Sequence, residues 1–197
     1  MLYQNRTSAG KHLAEFLKKN YYQQLKSAVL ISILKGGLPL GKEIEKKLKI
    51  PHLPIPCVSI KENQQTDQSL GAYCFDYIYK PKYISEQTLN KYLPYYQEEF
   101  ELICQQTNTN QDLYSICSGK TLLVVDDFIQ YGYTVSAVCN FLNSFKPQKI
   151  FIAVPICSAD CIEFEFSAEE IFLNIEPDFY TPSQYYFDFD EIDLSLL

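Results

Sequence analysis

Leu13, Leu17, Tyr21 and Leu25 recur four residues apart. That spacing keeps one helical face apolar and predicts an amphipathic helix from about Ser8 onward. The pattern then changes. Residues 28–34 (AVLISIL) form an unbroken apolar run with β-branched side chains, as expected of a strand covered on both faces. Lys35, Gly36 and Gly37 break the run, and Leu40, Ile44 and Leu48 stripe a second helix. Pro51, Pro54 and Pro56 are read as ending that helix and leading into a short strand near residues 57–61. The polar stretch 62–69 (ENQQTDQS) predicts a mobile loop, followed by strand-like residues 70–79 and a helix over 85–107. Residues 120–125 are read as a second fully buried strand, ending at Asp126 and Asp127. Val135, Val138, Leu142 and Phe145 stripe the next helix, 149–154 is a third strand and 170–175 a fourth candidate. This alternation predicts an α/β fold: a central, mainly parallel sheet flanked by helices, with the three apolar runs as parallel neighbours. Ligands of such sheets bind at the carboxyl ends of the strands, where the polar loop and the Tyr-rich tail would gather.

Composition narrows the class. A chain of 197 residues that is 47% hydrophobic suits one domain, residues 1–197, with room for a small hood or flap. The apolar runs are far too short to cross a bilayer, and residues 1–10 hold no apolar core of a signal peptide, so a cytoplasmic protein without a membrane partner is expected. Seven irregularly spaced cysteines then read as free thiols in a reducing compartment; no His or second Cys pair completes a zinc set around Cys157 and Cys161. The net charge of −7 argues against nucleic acid but leaves room for a small anionic ligand, which needs only local donors. The 17 basic residues include a single arginine, Arg6, and lysine cannot supply a planar fork of donors.

Residues 121–134 (TLLVVDDFIQYGYT) carry the strongest chemistry. A buried strand delivers two adjacent carboxylates, and a short loop with Gly132 opens a helix at about Thr134. Amides at a helix start point outward and its dipole favours anions, while paired carboxylates suit sugar hydroxyls or water around Mg²⁺. The plainer alternative is that Asp126 and Asp127 cap the loop and Thr134 caps the helix. After the first strand, Gly36 and Gly37 have little packing role on this reading, which favours a ligand-binding loop over an exposed turn.

Residues 121–134 resemble the phosphoribosyl-diphosphate motif of type I phosphoribosyltransferases: an apolar strand, two acids, then a Thr-Gly-x-Thr loop. Other segments match in order. Asn5-Arg6-Thr7-Ser8-Ala9-Gly10 with Leu13-Ala14 is similar to the Arg-x-x-Ala-Gly-x-x-Leu-Ala opening of one subgroup. Ile33-Leu34-Lys35-Gly36-Gly37 resembles the pyrophosphate loop, Lys61 and Leu70-Gly71-Ala72 a basic residue and a Gly-Ala strand, and residues 177–189 a C-terminal segment. The resemblance implies that Asp126 and Asp127 hold ribose hydroxyls, with Mg²⁺ nearby and carried mainly by the substrate. It implies that Gln130, Tyr131, Gly132, Tyr133 and Thr134 wrap the 5-phosphate. Lys35, Gly36 and Gly37 would bind pyrophosphate through a strained peptide before Lys35 that can be cis. Arg6 and Lys61 would add positive charge near the site.

Two positions depart from the motif. Gln130 stands where a small residue or an acid is usual and cannot act as a general base, and Tyr131 replaces a small hydroxyl residue. His12 and His52 read as ordinary surface or core residues, and the tyrosines at 92, 95, 96, 185 and 186 mostly as packing, with stacking on a base as the alternative. The first functional expectation is therefore an enzyme moving the phosphoribosyl group of phosphoribosyl diphosphate (PRPP) to an unassigned acceptor. The second is a degenerate member that binds PRPP or a nucleotide without turnover, as a regulatory or interaction protein. The third, an unrelated nucleotide-binding fold, lacks both Gly-rich phosphate fingerprints. Small molecules are the expected partners; a homodimer is carried as an assembly, though no residue dictates it.

Overall fold

A computed structural model describes residues 2–62, 69–107, 112–161, 166, 168–178, 181–189 and 192. The chain runs α1 (Arg6–Asn20), α2 (Tyr22–Leu25), β1 (Val29–Leu34), α3 (Gly37–Leu48), β2 (His52–Pro56) and β3 (Val58–Lys61). It continues through β4 (Ser69–Cys74), β5 (Tyr77–Tyr79), α4 (Glu86–Thr107), α5 (Leu113–Cys117), β6 (Thr121–Val125), α6 (Tyr133–Asn143), β7 (Lys149–Ser158) and β8 (Glu169–Glu176).

The main sheet has the order β2-β1-β6-β7-β8 and every pairing in it is parallel. The three apolar runs are thus its adjacent inner strands. Their period of two sorts side chains onto two covered faces. Val29, Ile31, Ile33, Leu122 and Val124 pack with Val135, Val138 and Leu142 of α6. Leu30, Leu123 and Val125 pack with Leu13 and Leu17 of α1 and Leu40 and Ile44 of α3. A separate antiparallel sheet, β3-β4-β5, forms the hood. One side of it meets α4 through Val58, Ile60, Tyr96 and Phe100, and Phe75 stacks on Phe141 of α6 with centroids 4.4 Å apart.

Local departures from expectation have physical reasons. Residues 52–56 (HLPIP) form β2 rather than a loop, because β2 is an edge strand and its prolines need not donate on the outer side. Residues 70–79 are a hairpin whose turn places Phe75 at φ 53, a conformation that no glycine or asparagine announces. Strand β7 continues past Pro155 to Ser158 because its pairing with β6 ends at Ala153 and Pro155 drops out of the ladder with β8. Phe145 lies beyond the end of α6 yet still packs against the core, and the short α5 was not anticipated. Most of the expected polar loop, residues 63–68, lies outside the described residues.

Candidate functional site

The chain leaves β1 through α3 towards β2, and leaves β6 through α6 towards β7 on the opposite face of the sheet. Two adjacent strands with diverging connections open a crevice at their carboxyl ends. The loop with Lys35, Gly36 and Gly37 lies on one side, and the loop 126–132 on the other. The Leu34–Lys35 peptide is cis. Lys35 is exposed. Both glycines have a packing role, contrary to the sequence reading. A Cβ at Gly36 would lie 2.4 Å from Oδ1 of Asp127, and one at Gly37 would lie 2.5 Å from the carbonyl oxygen of Val125.

Asp126 and Asp127 part company here. Asp126 is partly exposed and lines a cavity of about 160 Å³, with one carboxylate oxygen accepting from the backbone N–H of Asp127 at 2.9 Å. Enclosure by protein, reinforced by the carboxylate of Asp127, pushes its pKa well above the usual carboxylate range. Asp127 is only 3% exposed and turns the other way. Its Oδ2 accepts from Nε of Arg6 at 2.6 Å, and its carbonyl oxygen accepts from the hydroxyl of Tyr186 at 2.7 Å. Arg6 is the first residue of α1, a helix held at its start by a reciprocal Asn5–Ser8 capping box. Its guanidinium carbon sits 3.8 Å from the ring centroid of Phe189. Burial, and then the nearby Asp127, raises the pKa of Tyr186.

The remaining cavity walls come from two sources. The loop and α6 supply Phe128, Ile129, Gln130, Tyr131, Gly132, Tyr133, Thr134 and Val135; the hood supplies Ser59, Lys61 and Ser69. Gly132 is the N-cap of α6 at φ 74, in the left-handed region, and no side chain caps the helix. The opening turn of a helix leaves its first amides without intrahelical acceptors. Tyr131, 37% exposed, lies against Tyr133 with centroids 5.6 Å apart and planes 23° apart. Tyr133 in turn stacks on Tyr79 at 5.4 Å and shares a 2.8 Å hydrogen bond with the hydroxyl of Tyr83. Burial, then that bond, raises the pKa of Tyr133. The stack holds the Tyr131 ring as part of the wall. Beneath the loop, the thiol of Cys161 donates to the carbonyl oxygen of Gln130 at 2.9 Å, and that of Cys57 to Thr134 at 3.8 Å. All seven cysteines are free thiols, as expected.

Asp126, Lys61 and residues 130–134 therefore share one cavity, while Arg6 and Asp127 form a pair behind it. Gly36 abuts Asp127 and Gly37 abuts the backbone of Val125 and Asp126, and neither they nor Lys35 are part of the cavity wall. Sequence reasoning missed Ser59 and Ser69, which bond each other at 2.9 Å, and the buttress of Tyr79 and Tyr83. Nothing in the spacing of these residues links the hood to α6; only the tertiary fold does.

The family model of the phosphoribosyl transferase domain matches residues 2–190. The chain belongs to the phosphoribosyl transferase domain family. A Mycobacterium tuberculosis protein named "Putative phosphoribosyl transferase" is 23% identical over 178 residues, covering 86% of this chain and 39% of that protein. The chain thus spans well under half the length of that relative. Among solved structures, a Thermus thermophilus protein superposes with a TM-score of 0.76 at 20% identity, covering 98% of this chain and 94% of the other. A hypoxanthine phosphoribosyltransferase from Staphylococcus aureus gives 0.55 at 12% identity, over 87% of this chain and 75% of the other. At such identities these likenesses speak for the family's fold: a mainly parallel five-stranded sheet with a small antiparallel one beside it. Among the described residues, no helix is long and apolar enough to cross a membrane.

Proposed function

We propose that this member of the family transfers the 5-phosphoribosyl group of PRPP to an acceptor, releasing pyrophosphate. The observation that carries the reading is the shared cavity: Asp126, Lys61 and the uncapped start of α6 at Gly132 converge on one space at the carboxyl end of β6. Amides of the first turn of α6 bind the 5-phosphate, helped by the helix dipole and the hydroxyl of Thr134. Lys61 on the hood adds a point charge to an anion there. Asp126 accepts hydrogen bonds from ribose hydroxyls, and the neighbouring loop of Lys35, Gly36 and Gly37 receives the pyrophosphate. The hood and the aromatic wall exclude water, so the acceptor rather than solvent meets the sugar.

Among the described residues, no three His, Cys, Asp or Glu side chains gather into a metal set. One cavity carboxylate, Asp126, fits a Mg²⁺ bound mainly through substrate oxygens. When bound, that ion supplies charge neutralisation on the diphosphate. The position of Gln130 in the cavity wall favours a second reading, binding without turnover, because no acid stands there to take a proton from the acceptor. Calorimetric titration with PRPP, with and without Mg²⁺, followed by a screen of acceptors for pyrophosphate release, tests both. Donor binding with release supports transfer; binding with no release from any acceptor supports the second reading. Failure to bind PRPP overturns transfer, and failure to bind a nucleotide as well overturns the second reading.

A further inference from the structure

Two neighbouring acids at the end of one strand would be expected to act together on a sugar, yet their surroundings differ on every side. Asp126 borders the cavity; Asp127 does not. Asp127 is held by Arg6 at 2.6 Å, by the hydroxyl of Tyr186 on its carbonyl oxygen, and by Gly36, whose missing Cβ makes room for its carboxylate. Its carboxylate would have to break the ion pair to reach a ligand. The contacts also bring distant segments together. Tyr3 forms a parallel bridge with Tyr186, the N–H of Phe187 donates to Tyr3 at 3.0 Å, and that of Asp188 donates to Gln4 at 2.8 Å. The segments carrying Arg6, Tyr186 and Phe189 are thus stitched to each other and close on Asp127 as one clasp.

We propose that the two acids divide the work: Asp126 alone meets the ribose hydroxyls, while Asp127 and Arg6 are positioning residues through which the clasp sets the loop 126–132. The half concerning Asp126 rests on the phosphoribosyl reading; the half concerning Asp127 and Arg6 does not. The geometry makes the distinction chemical. An acid that bonds a sugar hydroxyl discriminates ribose from deoxyribose, and an acid that bonds Arg6 has no such effect.

The test pairs two measurements on the full chain. Affinity for ribose 5-phosphate and for 2-deoxyribose 5-phosphate is titrated in wild type, Asp126→Asn, Asp127→Asn, Arg6→Gln and Arg6→Lys. The ratio of the two affinities should collapse by about tenfold in Asp126→Asn. It should persist in Asp127→Asn and Arg6→Gln, whose affinities for both sugars fall together. Thermal unfolding of Arg6→Gln, Asp127→Asn and their double variant then forms a cycle. Each single change should lower the midpoint by about 6–20 °C, with the double variant no worse than the poorer single. Arg6→Lys, which keeps the charge, should recover part of the loss and remains measurable if Asp127→Asn does not fold. Loss of the sugar ratio in Asp127→Asn but not in Arg6→Gln would make Asp127 a ligand and overturn the division. Additive unfolding shifts would overturn the clasp. Wild type that binds neither sugar would overturn the role of Asp126 and the phosphoribosyl reading, and leave the unfolding cycle to judge Asp127.

Discussion

Gly36→Ala isolates the fit between the two loops. Gly36 has φ −55 and ψ −42, ordinary right-handed helical angles, so alanine meets no backbone penalty there. The obstacle is steric. The added Cβ would lie 2.4 Å from Oδ1, 2.6 Å from Cγ and 2.7 Å from Oδ2 of Asp127. A flexible, exposed carboxylate would swing aside, but this one is buried and bonded to Arg6. Either the ion pair lengthens or the first turn of α3 shifts. Overpacking of this kind costs about 1–3 kcal/mol, which a protein of this size shows as a midpoint lower by about 2–12 °C. Circular dichroism during heating measures it. Gly119→Ala is the control: no atom lies within 4 Å of its Cβ, and only its φ of +66 is strained, so about 1 kcal/mol is expected. In Gly36→Ala combined with Asp127→Ala the clash disappears, and the double variant should be no less stable than Asp127→Ala alone. A Gly36→Ala midpoint equal to wild type, or fully additive losses in the double variant, would refute the steric account.

Three more expectations follow from the same geometry. Tyr131→Thr should change PRPP affinity by less than about threefold, since its ring stacks on Tyr133 as wall; a tenfold gain in titration would mean the ring obstructs the donor. Burial lowers the pKa of His52, whose ring bonds buried Ser32 at 2.8 Å, more than Glu45 at 3.1 Å raises it. The unfolded chain therefore binds the extra proton first, so this stability is full above about pH 6.5 and falls as the pH drops towards the folded value; His52→Gln should flatten the fall in midpoint between about pH 7 and about pH 5. Asp126, whose pKa is raised by burial and by Asp127, has the opposite sign: stability is full below its unfolded pKa and lost as pH rises through the folded one. Asp126→Asn should therefore unfold at a higher temperature than wild type at neutral pH, and an equal or lower midpoint there counts against the raised pKa.

Much of this was legible in the residues. Residues 29–34, 121–125 and 149–154 are mainly apolar, as expected of strands covered on both faces, and helical stripes between them made the parallel sheet the simplest arrangement. The loop after β6 was legible because Gly132 and the adjacent acids carry local backbone meaning. Proline misled at one edge of the sheet, since Pro54 reads as a breaker until the strand is known to be an edge. The division between Asp126 and Asp127 was not legible, because adjacent residues on an extended chain point opposite ways and only the fold says which direction holds the cavity. Arg6 stood out as the one arginine, but its partner lies 121 positions along the chain. Gly36 and Gly37 were read through their own flexibility, whereas their neighbours' approach explains them.

The clasp also bears on the order in which the molecule assembles. The contact between Arg6 and Asp127 encloses 121 positions, a longer stretch than the one from Val29 to Leu122 that pairs β1 with β6, and the sheet gains its packing from α3 and α6 nearer by. Closure entropy rises with the length enclosed, so the clasp gains most once the sheet has already brought its parts close. The loop 126–132 is consequently tightened late in folding and loosened early in local opening, and the sheet can outlast the cavity at its edge.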